Sequence, residues 1–218
     1  MCGRYTLTAV SQLRGRFSLD DMPAHLPQRF NIAPSEPAPI ISRAGRNQLE
    51  ILQWGIQPRW AKERAGGRLL INARAESVAD SRLFAPALRA RRVIVPATGW
   101  YEWKETPAGK QPYYFRRKDG ELVGFAGLAL EEPEERGFVI ITTEAPPHLR
   151  QVHDRMPAVL HREDEDPWLD RHNREPADVL PLLRPYDEEL LVWYPVSRMV
   201  NRSGYDDPRM IEPLPASS

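Results

Sequence analysis

The chain opens Met-Cys-Gly-Arg-Tyr, and Cys2 is its single cysteine. A terminus is a poor place for a buried structural thiol, because chain ends fray unless something ties them down. Removal of Met1, which generally happens before a small second residue, changes what Cys2 is. It then carries an α-amine and a thiol on adjacent carbons, both nucleophilic. Three further stretches hold groups that such a nucleophile could use. "INARAES" places Asn72, Arg74 and Glu76 in one register of an extended chain, an amide, a guanidinium and a carboxylate in a row. The same row also reads as the solvent face of a sheet. "GWYEW" sets Glu102 among aromatic rings, where a carboxyl is expected to have a raised pKa and to exchange protons near neutrality. An alternating strand with Glu102 turned to water is the commoner case for an isolated glutamate. "VHDRMP" supplies His153, the side chain that titrates nearest neutral pH, with Asp154 and Arg155 beside it; a hydrogen-bonded structural histidine also fits that motif. Spacing alone does not bring these groups together.

Composition bounds the remaining chemistry. One cysteine allows no internal disulfide and no cysteine-based metal site, and it fits a reducing cytoplasm. The histidines at 25, 148, 153, 161 and 172 show no zinc-hydrolase spacing. No stretch is long and apolar enough to cross a membrane, and the N-terminus has no signal pattern. The net charge is zero, yet residues 1–118 carry 20 Lys/Arg against 9 Asp/Glu and residues 119–218 carry 10 against 21. Basic clusters around Arg59–Arg68, Arg89–Arg92 and Arg116–Lys118 are candidate footprints for a polyanion, or a solvated surface paired with the acidic half. Trp54 and Trp60 flank a Gly/Pro segment, so at least one is expected at a surface, where an aromatic beside arginines forms a stacking platform.

The elements that must position these groups are short and joined by defined turns, since the prolines are spread throughout. "TAVSQLRGRF" predicts a first helix with Thr8 as N-cap. "PAPIISRAG" and "QLEILQWGIQP" predict two strands around a turn at Gly45–Asn47. "VADSRLFAPALRAR" is helical by apolar spacing. "RVIVPATGWYEWKE" reads as strand, turn, strand, and "QPYYFRRKDGELVGFAGLALEE" as the clearest hairpin, turning at Asp119-Gly120. "RGFVIITTEA", "PAVLH" and "LLVWYPVS" add strands; "PPHLRQVHD", "EDPWLD" and "ADVLPLLRP" add short helices. The expected fold is α+β: one compact domain over 1–218, built on a mostly antiparallel, barrel-like β-sheet with flanking short helices, and a loose tail at 211–218.

"MCGRY", "RFNIAP", "LQWGIQPRW", "INARAES", "GWYEW", "HDRMP" and "VSRMVN", in this order and over nearly the whole chain, resemble the SOS response-associated peptidase (SRAP) family. Ser77 and Trp100 stand where the family often has Thr and Phe. The resemblance implies action on abasic sites in single-stranded DNA, with Cys2 linking covalently to the deoxyribose and Asn72, Glu102 and His153 around it. It also implies that Arg4, Arg74 and Arg155 face the phosphates or the sugar, with Arg82, Trp60 and the turn at Pro34 as further DNA contacts. The expected product is a thiazolidine crosslink that shields the site from strand cleavage, with the thiol pKa lowered beside Arg4 or a protonated His153. No metal or organic cofactor is implied. The expected partner is abasic single-stranded DNA, with no membrane and no obligate protein partner, for a cytoplasmic monomer that is nucleoid-associated when bound. Two other readings stay open: an N-terminal-nucleophile cysteine peptidase or amidase, whose own α-amine serves as base, and a non-covalent module for single-stranded DNA.

Overall fold

In the computed structural model, which describes residues 2–58, 69–132 and 135–215, the strands fall into two sheets. In chain order they are β1 (Tyr5–Leu7), β2 (Arg29–Ile32), β3 (Pro37–Ala44), β4 (Arg46–Trp54), β5 (Asn72–Arg74), β6 (Arg92–Ala97), β7 (Gly99–Lys104) and β8 (Gln111–Arg117). They continue with β9 (Val123–Glu132), β10 (Glu135–Glu144), β11 (Arg155–Pro157), β12 (Val159–Leu160) and β13 (Leu191–Pro195). The helices α1 (Leu13–Arg16), α2 (Ala85–Ala90), α3 (Arg162–Leu169) and α4 (Pro176–Val179) are all short. None among the described residues is long and apolar enough to span a membrane.

One sheet runs β13-β8-β7-β1-β2. In the other, β10, β4, β3, β6 and β9 follow one another, and β9 pairs back onto β10, so these five strands close a ring. The expected α+β, barrel-like architecture is therefore present. Its pairing is mostly antiparallel, but β10 runs parallel to both β4 and β5. Closure removes exposed strand edges, which suits strands as apolar as "GFVIITT". Tyr5, Trp100 and Phe125 pack edge-on or stacked with Trp54 and Phe115 at centroid distances of 5.1–6.1 Å, and this aromatic cluster joins the two sheets.

Local turn chemistry behaves as read, while strand partners do not. Gly45 (φ +83°) closes the β3–β4 hairpin, with Ala44 opposite Arg46, and Gly120 (φ +77°) reverses the chain as expected. Yet β8 and β9 on either side of Asp119-Gly120 are not a hairpin: β8 pairs with β7 and β13, while β9 pairs with β6, β10 and β12. The turn fixes a reversal, but the ten-residue β9 finds longer apolar partners in the ring. Likewise β6 and β7, separated only by Thr98, enter different sheets.

The first helix also differs. Thr8 is no cap; its N–H donates to Thr98 Oγ1 (2.8 Å), and the chain passes through a 3-10 turn at Val10–Gln12 before α1 begins. Residues 78–84 form turns rather than helix, and α2 starts only at Ala85, where Pro86 sets the first turn. Residues 211–214, expected to be loose, are tied down: Leu214 N–H donates to Pro195 O (2.9 Å) and Tyr194 Oη donates to Ile211 O (3.0 Å).

Candidate active site

Strand pairing brings the distant candidates together. Tyr5 on β1 lies opposite Trp100 on β7, and Tyr101 N–H donates to Arg4 O (3.0 Å). Continued in this antiparallel register, the chain before β1 runs beside the part of β7 that carries Glu102. On the other side, β10 has β5 along one edge, with Ile140 opposite Asn72 and Thr142 opposite Arg74. Along its other edge lies β11, with Glu144 opposite Arg155. Asn72 and His153 thus flank the end of β10.

Cys2 is fully buried. Its carbonyl accepts a hydrogen bond from Asn72 Nδ2 (2.8 Å), while Asn72 Oδ1 is buried with no hydrogen-bond partner among the described residues. Cys2 Sγ lies 3.9 Å from Arg4 O. Burial, reinforced by the nearby Glu102 carboxyl, pushes the thiol pKa well above its ordinary value. This reverses the expectation of a lowered thiol pKa. One supposed cause is absent, because the Arg4 guanidinium donates elsewhere: to Asn31 Oδ1 (2.9 Å), Val200 O (2.9 Å) and Ser203 Oγ (3.4 Å).

Glu102 is 2% exposed, and burial pushes its carboxyl up to about 8, with Asp154 acting in the same sense. At neutral pH it therefore holds its proton. His153 Nδ1 lies 4.0 Å from Glu102 Oε2. In the neutral ring that nitrogen meets the Arg155 N–H (3.0 Å), Asp154 Oδ1 (3.1 Å) and the Arg155 carbonyl oxygen (3.2 Å). Burial lowers the His153 pKa and favours the neutral form. Glu102, Trp103, Lys104, Lys110, Arg150 and His153 line one open cleft of about 690 Å³. The arrangement offers a buried acid, a neutral imidazole and an amide acceptor around one nucleophilic residue.

The predicted arginines part company. Arg74 is exposed at the end of β5. Arg155 is held: it makes a two-pronged pair with Glu76 (2.7 and 3.0 Å) and donates to Thr142 O (2.6 Å), and its side chain is 12% exposed. Arg4 braces the C-terminal segment, as above. Pro34 sits half-buried in the turn after β2, beside Ser35 at φ +70°. Arg82 is exposed and lines a different depression, with Leu83, Ala87 and Arg91. Trp60 lies outside the described residues, and Trp54 is fully buried against Phe138 rather than at a surface. Parts of the basic half do pair with the acidic half, among them Arg16 in a two-pronged pair with Glu165 (2.6 and 2.7 Å).

Sequence reasoning missed Asn31. It is 1% exposed, accepts from Arg4, and donates to Arg202 O (3.1 Å) and Tyr205 O (2.8 Å), clamping the C-terminal segment to the strand that leads from Cys2. An amide beside Ile32 in an apolar strand was the available signal. Trp103 was also missed; its Nε1 donates to Asn201 Oδ1 (2.8 Å) at the edge of the cleft.

Residues 1–203 match the family model described as SOS response associated peptidase (SRAP). The chain is 36% identical to "Abasic site processing protein YoqW" of Bacillus subtilis (strain 168), over 97% of this chain and 99% of that protein. It is 30% identical to "Abasic site processing protein YedK" of Escherichia coli (strain K12), over 98% and 100%. A crystal structure of a Bacteroides thetaiotaomicron protein shares the fold at a TM-score of 0.84 and 24% identity, covering 98% of this chain and all of that one. On the match across its length and its likeness to these relatives, the chain belongs to the SOS response associated peptidase (SRAP) family.

Proposed function

We propose that the protein captures abasic sites in single-stranded DNA by forming a covalent thiazolidine with Cys2, after Met1 is removed. The observation that carries this reading is the convergence on Cys2 of the Asn72 amide and a Glu102 carboxyl that keeps its proton at neutral pH. His153 lies 4.0 Å from that carboxyl. The names of the relatives supply the lesion as substrate.

The chemistry balances as a condensation. The abasic sugar opens from hemiacetal to aldehyde when neutral His153 takes the C1′ hydroxyl proton and the resulting imidazolium returns it to the departing ring oxygen. The freed α-amine, with a pKa of about 7.7–8.0, is partly neutral at cellular pH and attacks the aldehyde carbon. Protonated Glu102 gives its proton to the carbinolamine hydroxyl, which leaves as water. The Cys2 thiol then adds to the iminium carbon and passes its proton to the Glu102 carboxylate. The raised thiol pKa fits this order, because amine attack comes first and the thiol is deprotonated only as the ring closes. Asn72 holds the Cys2 backbone so that both nucleophiles meet one carbon. Ring closure consumes the aldehyde, so elimination that would break the strand is suppressed. Exposed Arg74 meets a backbone phosphate. Arg155 does so only when a phosphate displaces Glu76, and Pro34, Trp60 and Arg82 are further contacts along the strand.

The test is single-stranded DNA with one abasic site, incubated with mature protein or Cys2→Ala and run on a denaturing gel without borohydride. A heat-stable shifted band with wild type alone is expected. Absence of that band from protein whose intact mass confirms loss of Met1 overturns the proposal. Absence of the band together with Cys2-dependent turnover of an added amide substrate would replace it with an amidase.

A further inference from the structure

We infer that an arginine-lined depression toward the other end of β10 binds the phosphodiester backbone of the DNA strand leading away from the cleft, an inference that rests on the function proposed above. Two adjoining hollows, about 310 and 380 Å³, share Ala90, Arg91, Ala129, Leu130 and Glu131. The floor is Arg92, 7% exposed. Its guanidinium donates to Trp168 O (2.6 Å), Leu88 O (2.6 Å) and Asp170 O. Carbonyl oxygens fix its position without cancelling its charge. Arg136 and Arg171 stand at the rim of one hollow and Arg82 at the rim of the other.

The local charge is not balanced. Glu131 answers Arg91 (2.8 Å), but Glu50 takes a hydrogen bond from Ser42 and reaches Arg136 only at 3.9 Å. Arg82 and Arg171 make no side-chain ion pair or hydrogen bond among the described residues, and both are exposed. Among the described residues the lining holds five guanidiniums against two carboxylates. With Asp170 included, whose charge acts on Arg92, the excess among the described residues is positive. Planar, permanently charged donors in an open hollow suit phosphate oxygens better than a small apolar ligand.

The strand geometry ties this hollow to the cleft. Ile140 pairs with Asn72, and Arg136 lies four residues earlier on β10, about 13 Å along the strand at ~3.3 Å per residue. A single strand held at Cys2 spans that distance within a few nucleotides. A short oligonucleotide fills the cleft alone, and a longer one reaches Arg136 and Arg171.

The experiment compares wild type with Arg136→Ala/Arg171→Ala, two exposed positions outside the proposed chemistry. Binding of undamaged 5- and 20-nucleotide single strands is followed by fluorescence anisotropy from 50 to 200 mM salt, and crosslinking of an abasic 5-mer is scored separately. Loss of two phosphate contacts makes the 20-mer salt slope shallower by about 1.4, so this rise in salt costs wild type about sevenfold more affinity than the variant. The 5-mer is expected to bind and crosslink equally to both. An unchanged 20-mer slope with normal 5-mer crosslinking overturns the inference and leaves the proposed function standing. Absence of crosslinking by wild type overturns the proposed function, and the inference with it.

Discussion

Replacing Glu102 with Gln should make the protein more stable at alkaline pH while slowing crosslink formation. In the folded chain the carboxyl is 2% exposed and titrates at about 8, against 4.5 for an ordinary glutamate, because burial penalises its charged form. Below pH 4.5 both folded and unfolded chains hold the proton, and the site costs nothing. Between pH 4.5 and 8 only the folded chain holds it, so stability falls as pH rises, by about 1.4 kcal/mol per pH unit. Above pH 8 both states are ionised and the penalty levels off. From pH 5 to pH 8 the penalty grows by roughly 3 to 4 kcal/mol. Glutamine is isosteric and does not titrate, so Glu102→Gln should gain that much on wild type across this range. For a chain of this size the gap in Tm should widen by roughly 10 °C. Urea unfolding of both proteins at each pH gives the difference directly, and taking the difference removes groups such as His153 whose own burial also makes stability pH-dependent. Parallel stability curves for the two proteins would refute the reasoning, since they would mean that Glu102 is already ionised when folded at neutral pH. The same variant should crosslink abasic DNA at least tenfold more slowly, as removal of a general acid typically costs about 10² or more.

In protein that retains Met1, buried Cys2 should react with a thiol reagent at pH 8 about a hundredfold more slowly when folded than in denaturant; equal rates would show an accessible or ionised thiol. Gly99→Ala should cost about 3 kcal/mol in urea unfolding, because a Cβ there would meet Tyr114 Oη at 2.5 Å and the Phe115 carbonyl, with β-sheet backbone on one side and no room to shift.

Much of the fold was legible because it rests on local rules. Glycine at positive φ marked the reversals at Gly45 and Gly120 correctly, and alternating or continuous apolar runs marked β3, β4, β6, β9, β10 and β13. Partnering was not legible. Asp119-Gly120 turns the chain as its residues demand, but the hairpin it advertises does not form, because β8 and β9 pair with other strands in separate sheets. The helix expected over 78–91 shrank to Ala85–Ala90 for a similar reason: apolar spacing survives in a run of turns when tertiary contacts, not helical hydrogen bonds, bury the side chains. Among the site residues, Cys2, Asn72, Glu102 and His153 were each visible as a chemical type, whereas Asn31 was hidden because its partners lie in the distant segment 200–205.

The sequence by itself determined the inventory: a single cysteine beside the initiator methionine, a glutamate bracketed by aromatic rings, an amide in an extended segment and a histidine in a loop. Only the tertiary structure decided their protonation and their allegiance. Pairing of β1 with β7 brings Cys2 toward Glu102, and burial there, rather than any motif, keeps the carboxyl protonated and the thiol undissociated. The same packing turns Arg4 away from the thiol and locks Arg155 onto Glu76. Residue type is a property of the chain, but pKa and ion-pair choice depend on solvent access and on neighbours that become close only after the strands have paired.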